Sequence, residues 1–66
     1  MDDELERGRA ACARRVWEEA HESLARADAI SPLGADDVEL LSLAAYMLGR
    51  DDESMGLLER AHQAHL

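Results

Sequence analysis

The sequence predicts an all-α chain of four helices folded as two stacked antiparallel helical hairpins, on three observations. Helix formers (Ala, Leu, Glu, Arg) dominate, whereas β-branched residues are confined to Val16, Ile30 and Val38. No stretch alternates apolar and polar residues with period two, so no strand is indicated. Shifting the chain by 34 residues superposes Ala10, Ala11, Glu19, Leu24, Arg26 and Ala27 on Ala44, Ala45, Glu53, Leu58, Arg60 and Ala61, so whatever one half builds, the other repeats.

The first helix is expected near residues 3–13, after the acids Asp2, Asp3 and Glu4, which suit the positive end of a helix dipole. Between Glu4 and Ala29 there is no proline and the only glycine is Gly8, so a single long helix is the alternative; the repeat favours a break near Arg14-Arg15. A second helix, opened by Trp17, covers about 16–30 and stops at Ile30-Ser31-Pro32-Leu33-Gly34, because proline disfavours helix at the residue before it. Asp36 and Glu39 have the spacing of a capping box for a third helix, 36–48. Gly49 is placed to close that helix in the left-handed conformation, and Asp51-Asp52-Glu53 start a fourth, 52–65. The whole is one domain, 1–66, with units of about 3–32 and 36–66.

The third helix is apolar nearly all round. Val38, Leu41, Ala45 and Leu48 form one stripe and Leu40, Leu43, Ala44 and Met47 a second, which predicts a central helix packed on two sides. Leu57, Leu58, Ala61 and Ala64 give the fourth helix a broad stripe. A chain of 66 residues buries only about 60% of its unfolded surface, and its single Cys12 excludes an internal disulfide, so a partner surface is the expected aid to stability. Leu40, Leu43, Met47 and Leu57 are the residues expected to supply it, pairing two copies as a twofold homodimer.

Composition narrows the function classes. Fifteen Asp and Glu against seven Arg give a net charge of −8, which repels phosphate backbones and anionic lipid, so neither nucleic acid nor membrane is an expected partner. The longest run without charge, Leu40 to Gly49, is far shorter than the ~20 apolar residues of a membrane span. An acidic start and a lone cysteine fit the cytoplasm.

The 34-residue period with two helices per unit resembles the tetratricopeptide repeat. Gly8, Ala20-x3-Leu24, Ala27 and Pro32 stand at that pattern's spacing in the first unit, with Ala11 and Leu24 in place of its aromatics. Ser42, Ala45, Ser54-x3-Leu58 and Ala61 follow in the second, and Leu66 falls where proline would be. The resemblance implies small residues that let paired helices approach, with Leu24 and Leu58 filling the space beside them. The chain is also similar to the repeat segment of actinobacterial LuxR-type transcriptional regulators. That likeness rests on Glu6-Arg7-Gly8-Arg9, Ala13-Arg14-Arg15-Val16-Trp17, Ala27-Asp28 through Pro32-Leu33, Ala44-Ala45-Tyr46, Leu48-Gly49-Arg50-Asp51-Asp52-Glu53 and Glu59-Arg60-Ala61-His62. It implies a regulatory interaction region; no basic recognition helix is present, so DNA binding does not carry over.

No residue set indicates catalysis. Ser, His and Asp occur without a triad or a phosphate-binding glycine loop, and Cys12 lies among alanines far from any histidine, as a packed inert thiol does. His62 and His65 share a helix face with Glu59 and offer zinc or nickel a partial ligand set, but solvated terminal histidines are the commoner case. The acid clusters lack a calcium loop and read as helix starts. Arg14-Arg15 reads as a solvated pair. Trp17 and Tyr46 are expected in the core, with exposure as binding anchors the alternative. The expectation is therefore a non-enzymatic protein–protein interaction or scaffolding module without cofactor. A self-associating bundle with no outside ligand and a histidine-based metal binder are the alternatives.

Overall fold

The computed structural model describes residues 3–64, which form four helices and no strand: α1 (Glu4–Ala13), α2 (Trp17–Ile30), α3 (Ala35–Met47) and α4 (Asp51–Ala64). The break in the first half is real, and its cause is a backbone conformation. Arg15 has φ 61°, the left-handed region, and the amides of Arg15 and Val16 bond back to the carbonyls of Cys12 (3.0 Å) and Ala11 (2.9 Å). Gly49, at φ 83°, repeats this at the end of α3, where the amides of Gly49 and Arg50 reach Tyr46 (3.0 Å) and Ala45 (2.9 Å). Both are Schellman closures, satisfying carbonyls that a helix end would leave open. Each turns the chain straight back on itself.

Asp3 caps α1 by accepting the Leu5 amide at 3.0 Å. Ser31 takes the extended conformation that a following proline demands and ends α2. The expected capping box at Asp36 does not form. α3 starts one residue earlier, from an extended Gly34 with no side-chain cap, and Asp36 and Asp37 lie inside the first turn. Asp37 is directed elsewhere, to an arginine on α1.

α1 pairs with α2 and α3 with α4, while α3 also lies along α2 and touches α1, so its backbone runs close to all three other helices. The core they enclose is built from small residues. Ala11, Ala20, Ala44, Ala45 and Ala61 are fully buried, with Leu24, Val38 and Leu41 as the larger fillers, and Trp17 and Cys12 pack against the cluster of Ala11, Ala20 and Ala44. Gly8 sets the closest approach: a Cβ there would stand 2.6 Å from Cγ of Leu24. The expected core position of Leu24 holds for this reason.

Candidate functional site

Long side chains tie the two hairpins together. The guanidinium of Arg9 on α1 donates twice to Asp37 on α3, at 2.8 Å from both Nε and Nη2. Arg60 on α4 donates from both terminal nitrogens to Asp28 on α2, and the other constraint on Asp28 is the Leu33 amide at 3.1 Å. His21 Nε2 lies 2.7 Å from Glu53 Oε2, a further α2–α4 link. These hydrogen bonds to arginine hold the Asp37 and Asp28 carboxyls below the usual carboxylate range, against a smaller opposing effect of burial. Arg7, Arg14, Arg26 and Arg50 also face carboxylates. The cationic charge of the molecule is thus largely spent on its own acids.

What remains open is apolar. On the outer side of the second hairpin a groove of about 230 Å³ runs between α3 and α4, with Glu39, Leu43, Tyr46 and Leu58 as walls. Its floor is Ser42 and Ser54, buried and joined by a 3.0 Å hydroxyl contact, with Ser42 also donating to the Ser54 carbonyl. Leu43 is 44%, Leu58 51% and Tyr46 62% exposed, and Met55 on α4 is exposed as well. A second concavity, of about 330 Å³, sits at the junction of the hairpins, bordered by Leu5, Ile30, Pro32 and Leu33.

Of the surface residues expected from the sequence, Leu43 lines the groove and Met47 is exposed, while Leu40 and Leu57 are half-buried. Ala44, read as part of the same outer stripe, is fully buried against the first hairpin. Tyr46 corrects the expectation of a core aromatic, whereas Trp17 is half-buried and packed. Leu58 corrects the reading of Leu24 and Leu58 as equal core fillers: Leu24 has no exposed surface and Leu58 more than half. The repeat contained part of this signal, since Gly8, which Leu24 packs against, is replaced by Ser42 beside Leu58.

Cys12 is half-buried with its Sγ 3.9 Å from the Leu40 carbonyl, and burial pushes the thiol's pKa up, away from nucleophilic thiolate. His62 is exposed on α4, His65 lies outside the described residues, and among the described residues no three His, Cys, Asp or Glu side chains converge on a point that would hold a metal ion. Asp51, Asp52 and Glu53 occupy the first turn of α4, and among the described residues no helix is long and apolar enough to cross a membrane. Comparison with protein-family models, with curated proteins and with solved structures gives no match for this chain.

Proposed function

We propose that the chain is a non-enzymatic, tetratricopeptide-like interaction module that acts by offering the α3/α4 face to another protein surface. The observation that carries this reading is the placement of the exposed Leu43, Tyr46 and Leu58 along one groove on an otherwise strongly acidic molecule. Scattered apolar residues on a surface are ordinary; leucines and a tyrosine gathered along one groove have the composition of an interface core. In a regulator built from such units, this face would transmit contact between segments.

The reading separates residues that build the fold from residues that wait for a partner. Leu43→Gln, Tyr46→Gln and Leu58→Gln combined should leave the helical circular dichroism intact, shift the melting temperature by only a few degrees and reduce retention on a hydrophobic-interaction column, because substitutions away from the core cost about 0.5 kcal/mol or less each. Leu24→Gln should melt the domain, since it strands an amide in a fully packed site. A triple variant that unfolds as Leu24→Gln does would show that the face belongs to the core of the fold and is no interaction site.

A further inference from the structure

Resting on that interaction reading, we infer that the groove between α3 and α4 is a seat for one α-helix of a protein partner, laid where α3 lies on the first hairpin. The repeat supplies the template. α3 engages the first hairpin through Arg9, which bonds Asp37, through Cys12, which meets the Leu40 carbonyl, and through Ala11 and Ala20, which pack on Ala44. Moved along by 34 residues, Arg9, Cys12 and Ala20 become Leu43, Tyr46 and Ser54, all lining the groove, and the buried Gly8 and Leu24 become Ser42 and Leu58, which line it too. The Arg9, Cys12 and Ala20 positions that α3 covers in the first hairpin therefore line an open groove in the second, whereas Ala45, the equivalent of Ala11, is buried within its own hairpin.

The substitutions between the two surfaces define the partner. Where Arg9 receives an aspartate, Leu43 requires an apolar or small residue in the first turn of the incoming helix. Aliphatic residues are needed where α3 carries Val38 and Leu41, and a small one where Ala44 sits, since Ser54 stands at the position of Ala20, against which Ala44 packs. Such a helix reads as an apolar stripe at i, i+1, i+4 and i+7.

The opposite end of the molecule is closed to the same use. The α1 residues equivalent to Asp37, Val38, Leu41 and Ala44 are Asp3, Glu4, Arg7 and Ala10, and Glu4 is engaged with both Arg7 (3.5 Å) and Arg26 (3.0 Å). Seating α1 of another copy in the groove would place Glu4 and Arg7 where α3 carries Val38 and Leu41, against leucine and tyrosine, and the pairing between the two offsets their desolvation only in part. Copies therefore do not chain head to tail, and the open face accepts a helix with an apolar stripe.

The test joins a second copy of residues 31–64 directly after residue 64 of the chain, which continues the 34-residue register; the joined copy carries Asp37→Ala to suit Leu43. Accessibility is read by thiol labelling of Leu58→Cys in the original hairpin, with Cys12→Ser throughout. The expected result is a monomeric chain with labelling slowed roughly tenfold or more relative to the unextended parent, as for a site exposed only by local opening. Leu41→Glu in the joined copy should restore fast labelling. Unchanged labelling in the extended chain, with the glutamine triple variant still folded, would overturn the helical seat while leaving an interaction face. Slow labelling in the parent alone, with a concentration-dependent dimer in sedimentation, would overturn it in favour of a second copy. Equal protection from the same hairpin joined ahead of Asp3 would overturn the asymmetry on which the assignment stands.

Discussion

Gly8 and Gly56 show how one residue type means different things at two sites on the same kind of helix. At Gly8 an added methyl would meet Leu24 side-chain carbons at 2.6 and 2.7 Å and its backbone nitrogen at 3.2 Å, and Leu24 is fully enclosed, so nothing nearby can give way. Gly8→Ala gains about 1 kcal/mol of helix propensity and loses about 1–3 kcal/mol to overpacking, so a net loss of stability is expected. Gly56 has nothing within 4 Å of the same methyl and is exposed in the interior of α4. Gly56→Ala should therefore raise stability by about 0.5–1 kcal/mol, since only the propensity term remains. Urea unfolding of both variants checks the pair; a stabilising Gly8→Ala would mean that α1 and α2 are less closely apposed than described. The need for a small residue at Gly8 was visible in the repeat pattern, but Leu24 as the neighbour that enforces it emerges from the folded hairpin.

The helices themselves were legible because their punctuation is chemical: proline and an extended serine end α2, a left-handed glycine ends α3, and acids crowd the starts of α1, α3 and α4. The first turn was harder to see because Arg15 occupies the position that Gly49 fills in the second hairpin, so the usual signature of the left-handed residue is missing. Since a side chain there costs on the order of 1 kcal/mol relative to glycine, Arg15→Gly should raise the melting temperature by several degrees and Gly49→Ala should lower it by a similar amount. Opposite signs in a thermal melt are the expected outcome; equal destabilisation would mean that the Arg15 side chain contributes more than its backbone strain removes. The seam between hairpins makes a second prediction. Asp28 and Asp37 have folded pKa values depressed by their arginines, so their stabilisation is complete above the unfolded carboxylate value near 3.8 and is lost as pH falls through the folded values. Melting temperature should fall steeply below about pH 4, and Asp28→Asn with Asp37→Asn should give a lower but flatter profile there. An unchanged acid slope in the double variant would remove these pairs from any role in pH dependence.

For the molecule as a whole, what the sequence conveyed best was its charge and its helicity, because both are sums over residues and survive errors of placement. Which leucines face outward was not legible at the same level. Leu24 and Leu58 are alike in type and in repeat position, yet Leu24 is fully buried against Gly8 and Leu58 is half exposed in the groove beside Ser42. The charge carries a consequence for stability. Fifteen acids and seven arginines share a body of 32 × 24 × 18 Å, so most carboxylates lie within two Debye lengths of several others at 0.1 M salt, where that length is about 10 Å. Two effects of added salt then compete. Screening weakens the arginine–carboxylate pairs, but exposed pairs are worth only about 0–1 kcal/mol each, and Arg7, Arg14, Arg26 and Arg50 belong to that exposed class. Screening also relieves the repulsion among the eight carboxylates in excess, which acts on the compact state and far less on the expanded one. The second effect has more charges behind it and no opposing geometry, so it wins. The melting temperature should therefore rise as sodium chloride is raised from about 0.01 M to about 0.3 M at neutral pH, and sodium sulfate should raise it further by strengthening apolar burial. A fall in melting temperature over the chloride range would show instead that the Arg9–Asp37 and Arg60–Asp28 bridges outweigh the repulsion, making the junction of the hairpins the electrostatic centre of the fold.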